Sequence, residues 1–105
     1  MQILLDHMVP HELRRLLEGD VFTTQFMGWD QLQNGQLLEA CDERGFDVLL
    51  THDKNMRHQQ ELTQYQTAVL QLDAPSNDPE DVRLLVPQIN EALRDLTPGE
   101  FVVVG

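Results

Sequence analysis

Two aspartates, Asp6 and Asp53, each close a short leucine-rich run, "ILLD" at residues 3 to 6 and "VLLTHD" at 48 to 53. An apolar run of four to six residues that ends in a carboxylate reads as a buried strand whose acid stands just beyond its carboxyl end. In open parallel sheets such ends converge at the crevice where strand order reverses, so two of them on neighbouring strands bring two negative charges together. Carboxylates that close favour a cation, and Mg²⁺ is commonly held by one or two carboxylates plus waters. Metal-assisted phosphodiester chemistry is the reaction class this arrangement serves, with a polarised phosphoryl oxygen and an activated water. Asp also caps turns, and that reading applies to either residue taken alone.

The elements that must position these residues follow from pattern. "QILL" (2–5) reads as a first strand and "PHELRRLLEG" (10–19) as a helix, with Pro10 in the first turn, Leu13, Leu16 and Leu17 on one stripe and Gly19 at its end. "VFTT" (21–24) reads as a second strand, residues 25–33 as a connection of weak signal, and "NGQLLEACDERG" as a helix capped by Asn34 and ended by Gly45. "FDVLLT" (46–51), "TAVLQL" (67–72) and "PGEFVVV" supply three further strands. Asp78 and Pro79 open a last helix with a stripe of Val82, Leu85, Val86, Ile89 and Leu93, and Pro87 inside that stripe predicts a kink or break. Alternating strands and helices with short links predict a three-layer α/β fold over residues 1–105, with about five mostly parallel strands and helices on both faces.

With this scaffold in place, "ILLDHMVP" followed by "GWDQLQNGQLLEACDERGFDVLLTHDKN" resembles the compact bacterial PIN-like domains, relatives of the PIN ribonucleases of toxin–antitoxin pairs. The similarity runs over roughly residues 1–72 and more loosely to the end. It implies a metal-dependent endoribonuclease acting on single-stranded RNA with Mg²⁺ or Mn²⁺, an antitoxin-like protein partner, and frequent homodimers. Asp6 and Asp53 match the family's acidic positions, as catalytic and metal-binding residues. His7 stands where an acid is common after the first strand. Asn34 and Gln36 replace acids at the start of the helix after "GW", and Asn55 follows Asp53 where another acid is common. These four are possible ligands or supports of ligands, and an amide oxygen there supplies no charge and no general base. Lys54 is the phosphate-binding candidate, with Arg57 beside it. A PIN-like module that has lost catalysis and acts by binding a partner is the alternative. A phosphoacceptor receiver-like domain also places Asp at strand ends, yet it wants a paired acidic cluster after strand one and a lysine after strand five.

Composition limits the partners. The chain has 105 residues, 7 Lys and Arg against 18 Asp and Glu, and a formal charge of −11. Broad electrostatic binding of nucleic acid draws on basic residues, so an RNA contact has to be local. No apolar stretch approaches the ~18 residues of a membrane span, and the lone Cys41 cannot form an internal disulfide, which together suggest a cytoplasmic protein. Cys41 shares an apolar face with Leu37 and Leu38 and reads as a buried thiol. His7 and His52 beside the acids suggest an alternative mixed His and Asp transition-metal site. Alternation along the third strand points His52 away from Asp53. His11 and His58 have no supporting motif, and Trp29 reads as packing, with base stacking as the alternative.

Overall fold

The computed structural model describes residues 1–54, 56 and 64–105, and of Asn34 the backbone alone. Asn55, Arg57 and His58 lie outside the described residues. Five strands, β1 (Gln2–Leu5), β2 (Asp20–Thr23), β3 (Val48–Thr51), β4 (Ala68–Leu72) and β5 (Phe101–Val104), form one sheet in the order β2-β1-β3-β4-β5. All four pairings are parallel. Parallel pairing buries both faces, which is why these strands read as continuous apolar runs rather than alternating ones.

The register sorts side chains between two layers. Leu4 is aligned with Leu49, and Leu49 with Val69. These three pack on one face against Leu37, Leu38 and Cys41 of helix α2 (Asn34–Arg44), together with Phe46 and Met56. Ile3, Leu5, Val48, Leu50, Leu70, Leu72 and Val104 face the other way. They meet Leu13 and Leu17 near a 3₁₀ turn (His11–Arg15), Val82 of α3 (Pro79–Arg83), and Ile89 and Leu93 of α4 (Val86–Arg94). The predicted C-terminal stripe is therefore spent in the core. No described helix is long and apolar enough to cross a membrane.

Three local departures from the sequence pattern have physical causes. The helix expected over 10–19 is only a 3₁₀ turn, because Pro10 offers no capping side chain and the chain must re-enter the sheet at Asp20. Leu17 is tied in through its N–H to the Leu13 carbonyl at 3.1 Å, while Leu16 stays 39% exposed. Gly19 ends no helix. It has φ +141° where the chain passes close to β1, and a Cβ there would lie 3.0 Å from both Ile3 Cδ1 and the Met1 carbonyl.

The third strand begins at Val48 rather than Phe46. Gly45, in the left-handed region at φ +86°, and Phe46 close α2 by donating to the Asp42 and Cys41 carbonyls. Phe46 then turns inward against Phe22 and Trp29, at ring separations of 5.5 and 5.8 Å. The break expected at Pro87 occurs: α3 ends at Arg83 and α4 starts at Val86, so Pro87 falls in a first turn where its missing N–H is not needed. Asp78 caps α3 as expected, accepting from the Glu80 N–H at 3.1 Å.

The sheet's centre is the support for everything at its carboxyl edge. Leu4→Ala, at a fully buried position of β1, is expected to lower unfolding free energy by about 2–5 kcal/mol in urea titrations. Asp78→Ala is expected to cost about 1 kcal/mol.

Candidate functional site

Strand β1 is flanked by β2 on one side and β3 on the other, and from β3 the order runs outward through β4 and β5. The reversal falls between β1 and β3, which is where a doubly wound sheet of this order opens its crevice. The ladder extends one residue beyond β1: the Asp6 N–H donates to the Leu50 carbonyl at 2.9 Å. Asp6 therefore holds strand-like alignment beside Thr51, and its carboxylate lies on the α2 side of the sheet.

Thr51, fully buried, joins the two aspartates. Its hydroxyl donates to Asp6 Oδ2 at 2.7 Å and accepts from the Asp53 N–H at 3.0 Å. Asp6 Oδ1 also accepts from the His7 N–H at 2.7 Å. Asp6 and Asp53 line one open crevice of about 280 Å³ with His7, Met8 and Gln33. Gln33 is the residue preceding α2, so the positive end of that helix faces the carboxylates. Among the described residues, no three His, Cys, Asp or Glu side chains group as a metal site. Among the described residues the acidic centre is a pair.

His7 is committed elsewhere. Its Nε2 lies 2.8 Å from the Leu32 carbonyl, which can only accept, so Nε2 carries the proton. Nδ1 lies 3.0 Å from the buried Thr24 hydroxyl, which engages the ring's second nitrogen. The imidazole fastens α1 (Thr24–Met27) and the loop before α2 to the end of β1. His52 projects to the opposite face, as alternation predicts, and its buried Nε2 has no hydrogen-bond partner among the described residues. Neither ring offers a nitrogen to the crevice, so the donor set there is oxygen.

The remaining candidates separate. Gln36 is exposed in the first turn of α2, where its N–H donates to the Gln33 carbonyl at 2.9 Å. Asn34 begins α2 and does not cap it, since Gln33 occupies that position. Lys54 pairs with Asp73 at 3.0 Å, beyond the end of β4. Cys41 is buried, and its thiol is pushed up to about 12 by burial first and then by the charges of Asp6 and Asp42. Trp29 packs edge-on against Phe46.

Three residues of the site escape the sequence reading: Thr51, Gln33 and Met8. For Thr51 a signal existed, because alternation sets it on the same face as Leu49 and Asp53. Gln33 is hidden by a one-residue shift of the cap, and Met8 by the absence of any pattern in the turn after β1. Comparison with protein-family models, with curated proteins and with solved structures finds no match.

Two outcomes are expected. Thr51→Val removes the shared hydroxyl and leaves Asp6 Oδ2 and the Asp53 N–H without it, a loss of about 1–3 kcal/mol in chemical denaturation. His52 titrates below the ordinary histidine range, chiefly because burial disfavours its charged form; the Lys54 charge adds to this, while the Leu72 backbone and Asp6 oppose it. The unfolded chain thus binds the proton first, so stability is whole above pH ~6.5 and falls as pH drops below it. Melting temperatures at pH 7.5 and 5.5 should differ less in His52→Gln than in the wild type.

Proposed function

We propose that the chain is a PIN-like domain in which Asp6 and Asp53 hold Mg²⁺ or Mn²⁺ for hydrolytic cleavage of single-stranded RNA. The observation that carries this reading is that two aspartates, one after β1 and one after β3, line a single crevice, with the Thr51 hydroxyl bonded to the Asp6 carboxylate and to the Asp53 N–H. The donor set suits a hard cation. Asp6 accepts one hydrogen bond at each oxygen, and a carboxylate oxygen has a second lone pair to give. Oxygen ligands with water favour magnesium or manganese, whereas the engagement of both His7 nitrogens argues against a mixed imidazole site. A crevice of about 280 Å³ has room for several waters at ~30 Å³ each.

Bound there, the cation would polarise a phosphoryl oxygen and lower the pKa of a water. The chain's own part is positional. Thr51 holds the rotamer of Asp6 and the backbone at Asp53, so the Asp6 carboxylate keeps its orientation without reorganising. The Gln33 amide, on the rim, can donate to a phosphate oxygen. Lys54 is exposed, and its surface ion pair with Asp73 is worth only about 0–1 kcal/mol, so it is able to exchange Asp73 for an RNA phosphate.

The second reading, a PIN-like module that binds a protein partner without catalysis, is favoured by the amide residues flanking the pair. Gln33 rather than an acid stands at the crevice, and His7 is structural. The two readings separate on one experiment. Metal-stripped protein is titrated with Mn²⁺ and Mg²⁺ while its melting temperature is followed, and a single-stranded RNA is then incubated with the loaded protein. A ligand that binds only the folded state must raise the melting temperature. The ribonuclease reading expects a saturable rise lost in Asp6→Asn and Asp53→Asn, and RNA cleavage lost in Asp53→Asn. No shift up to millimolar metal, with the Asn variants at least as stable as the wild type, would overturn it and leave the binding module.

A further inference from the structure

Strand β2 is one edge of the sheet, and among the described residues no further strand pairs with its outer side. The Asp20 N–H donates to the Met1 carbonyl, so in a parallel pair the backbone groups of Asp20 and Phe22 face β1. By the same alternation the N–H and C=O of Val21 and the N–H of Thr23 point outward. Edges of this kind accept an added strand unless charge, proline or a covering element blocks them. Among the described residues no proline and no further strand lies along Val21–Thr23, and the one charge of the strand, Asp20, stands at its start.

The walls beside this edge differ in chemistry. A groove of about 160 Å³ runs along Val21, Phe22 and Thr23, with Arg14 on one side and Phe26 on the other. Arg14 comes from the 3₁₀ turn on one face of the sheet, and Phe26 from α1 on the opposite face. Phe26 is 75% exposed and rests against Phe22 at a ring separation of 5.8 Å. The Arg14 Nε donates to the His11 carbonyl at 3.3 Å, and the residue is exposed. Among the described residues Arg83, Arg94 and Lys54 are ion-paired, whereas Arg14, Arg15 and, at the far end of α2, Arg44 enter no ion pair. In a chain of net charge −11, the exposed Arg14 sets a cation against the groove beside this strand, past the Asp20 carboxylate that opens it.

We infer that the β2 edge is a docking site for an extended peptide in which apolar and acidic residues alternate. An added strand points successive side chains to opposite faces of the sheet. One set falls toward Phe22 and Phe26 and gains by being apolar. The other falls toward Arg14 and gains by being a carboxylate, which a guanidinium binds in a fork. Main-chain hydrogen bonds to Val21 and Thr23 supply the register, as in other cases of strand addition.

A fluorescein-labelled octapeptide of alternating glutamate and valine, titrated against the intact chain by anisotropy, tests this. The expected result is saturable binding with amide shifts confined to Arg14, Val21, Thr23, Phe26 and their neighbours, and none with the matching lysine–valine peptide. Arg14→Glu and Phe26→Ser, both at exposed positions, should each weaken binding by about tenfold or more. Val21→Pro removes an outward N–H, a change an edge strand tolerates, together with a partly buried side chain packed on the core, and should abolish binding while the amide spectrum stays that of a folded chain. Absence of saturable binding at millimolar peptide, equal binding of the lysine peptide, or binding indifferent to Arg14→Glu and Val21→Pro would each overturn the inference. So would self-association that Val21→Pro dissolves, since a second copy would then fill the edge.

Discussion

The parallel pairing of β1 with β3 is the constraint on which the rest depends. Leu4 and Leu49, both fully buried, set its register, and the Asp6 N–H to the Leu50 carbonyl carries the ladder past the last strand residue. A slip of one residue would send Asp6 to the opposite face and leave Leu4 on the wrong side of the core. Burial thus specifies the carboxylate's position more strongly than any polar contact at the site does. The Thr51 hydroxyl adds direction to a placement the core has already made.

The 3₁₀ turn and the C-terminal helices show how a short connection can still be held firmly. Arg94 grips the Glu18 carboxylate through two nitrogens, which lowers the Glu18 pKa and raises that of Arg94. Asn90 accepts from the Glu18 N–H at 2.8 Å and donates to the Leu16 carbonyl at 3.1 Å, and Arg83 reaches Glu12. These contacts bind α3 and α4 to the segment between β1 and β2. They also engage two of the chain's seven cations, Arg83 and Arg94.

How far the fold and site can be read without coordinates depends on whether the deciding interaction is local. Strand positions, the alternation that separates His52 from Asp53, the Gly45 ending and the break near Pro87 all follow from neighbouring residues and were legible. The convergence of Asp6 with Asp53 needed only the assumption that their strands adjoin. The fate of His7 was not legible, since it hangs on Leu32 and Thr24, which lie well apart in the chain and meet only after the sheet forms. Lys54 turning to Asp73 is equally non-local. The length of the first helix depended on how soon β2 must rejoin the sheet, which no periodicity records.

An all-parallel sheet has a consequence for the order in which the chain is made. β1 emerges from synthesis first but sits in the interior of the finished sheet, and the Thr51–Asp6 bond spans 45 residues. Until β3 has left the ribosome, "QILL" can pair only with β2, and its other side remains an open apolar strand edge. Long-range parallel pairing forms slowly and leaves such edges exposed meanwhile. The nascent chain is therefore most prone to aggregate over the same interval in which its two aspartates have yet to meet.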